Sequence, residues 1–130
     1  MYTLKIKVMQ YKTRKLVKPT DLNARGTLFG GQLLKWIDEE AAIFAFCQAD
    51  TPHLVTKAMS EIEFVSPVNV GDIIEFGCEL LDFGNSSISV KLGVRNKQTK
   101  EMIITVEKIT FVNVDRWGGI KKITPNNFNN

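Results

Sequence analysis

The stretch LNARGTLFGGQLLKWIDEE, Leu22 to Glu40, holds the residues whose types and spacing could do chemistry. Asp38 falls within a helical pattern. At roughly 100° per residue it shares a face with Leu34, Ala41 and Ala45. A carboxylate among small and apolar side chains is costly unless it is hydrogen-bonded or its pKa rises. Two readings carry equal weight. Either Asp38 satisfies loop amides or sits in a subunit seam, or it faces a cleft as a general base or nucleophile. Gly30 and Gly31 stand where the helix begins, and a helix start offers unpaired N–H groups and a partial positive charge. Lacking side chains, they admit a carbonyl oxygen that gathers negative charge, although a glycine pair there is also a common turn device. Asp38 lies two turns beyond Gly31, roughly 10 Å by helical rise, too far to act on the same carbonyl from one helix. A base from a second copy of the helix could meet the first copy's N-terminus. Asn23 is a further polar candidate, in a loop setting where asparagine is commonly only a turn residue.

These groups need elements to hold them. The pattern predicts a helix from about Gly30 to Ala49, ended by Asp50-Thr51-Pro52. Ahead of it, Tyr2 to Tyr11 alternates as a strand with one wet face, and Arg14 to Leu22 reads as an irregular connection. After it come four strands, Leu54 to Phe64, Ile73 to Phe83, Ser87 to Arg95 and Met102 to Val114, joined by short turns at VNVGD, Gly84-Asn85 and NKQTKE. The last segment, about 116–130, reads as a tail with turn residues and a partly flexible Asn-rich end. The fold class is α+β: one long helix against a five-stranded antiparallel sheet, in a single domain spanning 1–130. The helix is apolar around most of its circumference. A sheet covers part of that surface and a second subunit the remainder, which favours a homo-oligomer.

Composition narrows the function classes. With 130 residues, 44% hydrophobic and 24% charged, the chain is long enough and apolar enough to bury a core. Its net charge of +3 is spread along the chain, which argues against nucleic-acid binding while suiting an anionic ligand. No signal-peptide core and no membrane-length apolar run is visible, so the expectation is a cytoplasmic protein without a membrane partner. Cys47 and Cys78 are expected as reduced thiols. One histidine and scattered acids make no metal site.

The chain resembles the hotdog-fold acyl-CoA thioesterases, in the branch of bacterial and cytosolic acyl-CoA hydrolases. The likeness is densest over DLNARGTLFGGQLLKWIDEEAAI, where Asn23, Gly26, Phe29-Gly30-Gly31 and Asp38 meet the family pattern. It continues through VTKAMSEIEFVSPVNVGDIIEF and GNSSISV. The resemblance implies a long helix wrapped by antiparallel sheet, a dimer with a continuous sheet, and a hexamer built as a trimer of dimers. It implies hydrolysis of acyl-CoA to free acid and CoA, with CoA as part of substrate and product and no separate cofactor. In that reading Asp38 activates water or attacks the thioester, Asn23 from across the dimer orients the reactants, and the N–H of Gly31, with that of Gly30, polarises the carbonyl. Gly84, Asn85, Ser86 and Ser87 correspond to pantetheine and nucleotide contacts, and Lys57, Arg95 and Lys97 are phosphate neighbours. The chain departs from its relatives at Ser60, where they often carry Asp. Hotdog dehydratases rely on a histidine, and His53 is expected not to be catalytic. The alternative reading is a non-catalytic acyl-CoA sensor, which would keep the groove without needing the acid.

Overall fold

The computed structural model describes residues 9–124. Its strands are β1 (Gln10–Leu16), β2 (Leu54–Met59), β3 (Ile62–Phe64), β4 (Ile73–Phe83), β5 (Ser87–Asn96) and β6 (Met102–Asn113), with a single long helix α1 (Gly30–Ala49). All pairings are antiparallel. The order across the sheet is β1-β4-β5-β6-β2, with β3 also paired to β6. One long helix against such a sheet is the hotdog arrangement.

Two expectations change in detail, while the tail's turn residues do form a turn and its Asn-rich end, 125–130, lies outside the described residues. The first strand does not end at Tyr11 but runs through Leu16, across residues read as connection, while Tyr2 to Val8 lie outside the described residues. Its charged side chains mask the period-two pattern, because β1 is an edge strand whose Arg14 is held by Glu75 across the pair. The expected strand Leu54 to Phe64 is divided, giving six strands among the described residues rather than five. At the break, the Ser60 side-chain oxygen accepts the Lys108 N–H at 3.1 Å, so a hydroxyl replaces part of the ladder. The Asp115–Gly119 segment of the tail is an ordered turn. Beyond it Ile123 is buried and donates its N–H to the Asn85 carbonyl at 2.8 Å.

The helix ends as its sequence suggests. Asp50 takes the left-handed conformation (φ 57°) and its N–H bonds the Phe46 carbonyl, just ahead of Pro52. It buries Leu33, Trp36, Ile37, Ala41, Ala45 and Ala49, with Trp36 edge-on to Phe76 of β4 at 6.4 Å. Burying each large aliphatic side chain contributes about 1.5–3 kcal/mol. The sheet covers only part of the helix: Leu34, Ala42, Phe44 and Phe46 are half-buried and Ile43 is exposed. These incompletely covered apolar side chains are the surface from which a second subunit is expected.

On the other sheet face a buried acid organises the strands. Glu75 of β4 receives Arg95 Nε at 2.9 Å and Arg14 Nε at 3.0 Å, with Lys100 Nζ at 3.5 Å. Burial opposes its ionisation, but the hydrogen bonds from Arg95 and Arg14 and the charge of Lys100 outweigh it, leaving the carboxyl at about 2. Gly77 and Gly93 face each other in the ladder, and a Cβ on either would stand 2.9 Å from Tyr11 atoms. The absence of side chains there lets Tyr11 lie across the pair, and the Arg95 guanidinium stacks on its ring at 3.8 Å.

Candidate active site

The glycine-rich loop is pinned to the helix by a residue that sequence reasoning passed over. Asp21, in the short 3-10 turn Pro19–Asp21, is buried. Its carboxylate accepts the Lys18 N–H and the Gln32 side-chain amide, each at 2.9 Å. Those bonds, the first above all, hold its pKa below the ordinary carboxylate range. Its carbonyl accepts the Phe29 N–H at 2.9 Å, fixing the residue that caps the helix. The only hint in the sequence was an acid just before the loop with a glutamine just inside the helix.

Within the loop, Asn23 does serve the turn. Its Oδ1 accepts the N–H groups of Arg25 (2.9 Å) and Thr27 (3.1 Å), and its Nδ2 donates to the Thr27 hydroxyl at 3.0 Å. A carboxamide has two N–H donors, so this bonding orients the group and engages one of them. Asn23 lines a cavity of about 350 Å³ together with Thr27, Gly30, Leu33, Phe64 and Ser66. Asn23 and Gly30 therefore share this cavity, whereas Gly31 does not line it. At the helix start, Gln32 is the first residue whose N–H reaches an acceptor behind it, the Phe29 carbonyl at 3.0 Å. The N–H groups of Gly30 and Gly31 precede that point, where helix geometry supplies no partner. A Cβ on Gly31 would sit 2.7 Å from the Phe29 ring, so this exposed ring would have to move aside for any side chain there.

Asp38 is not part of this cavity. It is half-buried rather than enclosed, and Thr56 of β2 donates its hydroxyl to Asp38 Oδ1 at 2.8 Å. Thr56 was missed by sequence reasoning. Alternation alone put it on one face of a strand, and no local signal says which helical residue that face meets. Within one chain there are thus two polar clusters, Asn23 with Gly30 at the helix start and Asp38 with Thr56 two turns along. The second lies at the sheet edge, beside exposed Val55.

The remaining candidates sit apart. Gly84 opens the turn into β5, where its N–H bonds the Ser87 carbonyl at 2.8 Å and a Cβ would crowd the Ser87 hydroxyl at 2.5 Å. Asn85 and Ser86 present their carbonyls to Ile123 and Asn113. Lys57 is exposed on β2 next to Thr56. Arg95 is occupied by Glu75 and Tyr11 on the opposite sheet face, and Lys97 is half-buried just past β5. Among the described residues no group of three acids, histidines or cysteines could hold a metal ion, and no helix is long and apolar enough to cross a membrane.

Known proteins with this arrangement are consistent with one another. Residues 25–103 match the family model of the thioesterase superfamily. An uncharacterized acyl-CoA thioester hydrolase of Haemophilus influenzae is 33% identical over 122 residues, covering 88% of this chain and 77% of its own. The crystal structure of a hexameric thioesterase from Yersinia pestis superposes with a TM-score of 0.80 at 30% identity, over 88% of this chain and 95% of that one. An acyl-CoA hydrolase from Staphylococcus aureus, solved with butyryl coenzyme A, coenzyme A and coenzyme A disulfide, gives 0.77 at 31% identity, over 92% of this chain and 71% of that one. The same hydrolase has been solved with alanine replacing an aspartate, an asparagine and a threonine in turn. By sequence and by fold this chain belongs to the thioesterase superfamily, among its hotdog acyl-CoA thioester hydrolases.

Proposed function

We propose that the chain hydrolyses fatty acyl-CoA to free acid and CoA in a site completed by a second copy. The observation that carries this reading is the separation of the two clusters. The cavity lined by Asn23 and Gly30 contains no acid, while Asp38 stands at the edge of the sheet with one carboxylate oxygen held by Thr56. Association along the β2 edge would bring the Asp38 of one copy to the cavity of the other. The hexameric state of the Yersinia pestis thioesterase supports a dimer-based assembly, here taken as a trimer of dimers. In the Staphylococcus aureus hydrolase the replaced asparagine and aspartate lie fifteen positions apart, the separation of Asn23 and Asp38.

In this mechanism the thioester carbonyl accepts the N–H of Gly31, with that of Gly30, at the positive end of the helix. Asp38 takes a proton from water as the water oxygen attacks the carbonyl carbon, or attacks that carbon itself to give an anhydride that water then opens. The carbon–sulfur bond breaks, the electron pair leaves with sulfur, and the thiolate takes up a proton. The Asn23 amide N–H orients the water or the thioester. Thr56 is a positioning residue. By donating to Oδ1 it fixes the carboxylate plane and leaves the other oxygen for the reaction.

The test is CoA release followed with a thiol reagent over acyl-CoAs of increasing length, for wild type, Asp38→Ala and Asn23→Ala, with circular dichroism and sizing of each. Release that drops by about 10² or more in folded Asp38→Ala is the expected result. A folded oligomer that binds CoA yet releases none from any thioester would instead favour the sensor.

A further inference from the structure

The segment between Val114 and Ile123 has no part in the chemistry above, yet it is built with care. Asp115 Oδ1 accepts the N–H groups of Trp117 (2.8 Å) and Gly119 (2.9 Å), and the Gly119 carbonyl accepts the Asp115 N–H at 2.8 Å. Gly118 sits at φ 86°, where a side chain would be strained, and a Cβ on Gly119 would stand 2.9 Å from the Asp115 carboxylate. This rigid turn holds Trp117 out with 83% of its surface exposed, backed by the Arg116 guanidinium at 5.4 Å from its ring. Ile120, Lys121 and Lys122 are exposed alongside, and none of Arg116, Lys121 and Lys122 forms an ion pair among the described residues. A fixed indole with a free π-face among three cations fits a ligand that is both aromatic and polyanionic.

Its position in the fold narrows the ligand. On β6, Phe111 pairs with Thr56, the residue that holds Asp38, and Asn113 pairs with Leu54 two residues along, about 7 Å away. Asn113 then receives the Lys121 N–H at 2.9 Å and donates its side-chain amide to the Lys122 carbonyl at 3.3 Å. Its own N–H bonds the Ser86 carbonyl, and the Ile123 N–H bonds that of Asn85. A series of contacts within one chain therefore links Thr56, through the buried Phe111 and Asn113 of β6, to Asn85, Ser86 and the turn that carries the two lysines and Trp117.

We propose that the Arg116–Lys122 turn binds the nucleotide end of CoA, with the adenine stacked on Trp117 and the phosphates facing Arg116, Lys121 and Lys122. This rests on the thioesterase reading, which supplies the substrate. The turn anchors the substrate far from the reacting carbon, so it contributes equally to ground state and transition state, and its loss raises KM while leaving kcat in place.

The experiment compares acyl-CoA with the same acyl group on pantetheine, which lacks the nucleotide, for wild type, Trp117→Ala, Trp117→Phe and Lys121→Ala with Lys122→Ala. Expected is a KM for acyl-CoA about tenfold higher in Trp117→Ala, recovered in large part by Trp117→Phe, with acyl-pantetheine kinetics unchanged. The double lysine variant should also lose much of the salt dependence of KM. Unchanged acyl-CoA KM in every variant would overturn the proposal, and so would an equal loss on both substrates or a shift in oligomer size on losing the indole. Wild type that hydrolyses neither thioester would sink the underlying reading instead. Quenching of tryptophan emission by CoA, present in wild type and absent in Trp117→Phe, tests the contact without any turnover. Binding of the turn to phosphatidylserine vesicles that CoA does not displace would assign it to a membrane surface and overturn the proposal.

Discussion

Replacing Glu75 by glutamine tests whether the buried acid on the outer sheet face is a structural centre. The substitution keeps shape and one acceptor oxygen but leaves Arg14, Arg95 and Lys100 facing one another with no anion between them. A carboxyl whose pKa falls from 4.5 to about 2 on folding stabilises the native state by about 3 kcal/mol at neutral pH. The side chains of Arg14 and Lys100 are more than half exposed (58% and 55%), so solvent screens part of that gain and about 2–3 kcal/mol is the expected loss. For a domain of this size that corresponds to a fall in Tm of about 10 °C. Because the folded pKa lies below the unfolded one, the contribution is complete above about pH 4.5 and disappears as pH falls towards 2. Denaturant or thermal unfolding of wild type and Glu75→Gln, at one fixed protein concentration, should show a gap at pH 7 that closes between about pH 5 and 2. A gap below about 1 kcal/mol at pH 7, or one that persists unchanged to pH 2, would refute the reasoning.

Two other outcomes are expected alongside the kinetic tests above. Thr56→Val, which keeps the shape of the side chain but removes the hydroxyl that Asp38 accepts, should lower kcat about tenfold with little change in KM, measured by CoA release. Cys78 should resist alkylation in the folded protein while Cys47 reacts, as read by mass spectrometry before and after unfolding. Burial, helped by the charge of Glu40, pushes the Cys78 thiol up to about 12, whereas Cys47 is exposed.

The helix was legible in the sequence because Gly30 to Ala49 combines a clear start, a long apolar pattern and a following proline. The strands after it were legible because turn residues separate runs rich in Ile, Val and Phe. The break at Ser60 was not, since a hydroxyl that substitutes for a ladder bond leaves the apolar alternation intact on both sides. The candidate site was half legible. Asn23, Gly30, Gly31 and Asp38 stand out locally by residue type and by their place in the turn and helix. Thr56 and Asp21 act through partners 18 and 11 residues away, and only the folded chain brings them there. The placement of Arg95 is the opposite case. As a basic residue on a strand it looked free for a phosphate, and the fold engages it with Glu75 from the neighbouring strand.

Keeping the acid away from its own helix start has a physical logic. A carboxylate within reach of the Gly30 and Gly31 N–H groups would bond them itself, as a capping residue does, and so occupy the donors that a thioester oxygen needs. Two helical turns of separation prevent that. The Thr56 hydroxyl holds one oxygen of Asp38 in place without supplying a compensating charge, and in the proposed mechanism the other oxygen serves as base or nucleophile. In the proposed assembly, acid and donors come together only between copies, where the acyl-CoA carbonyl, rather than the carboxylate, takes up the N–H groups. The small residues of the loop and helix start then have a common purpose: they leave room for a thioester between two groups of one chain that cannot reach each other.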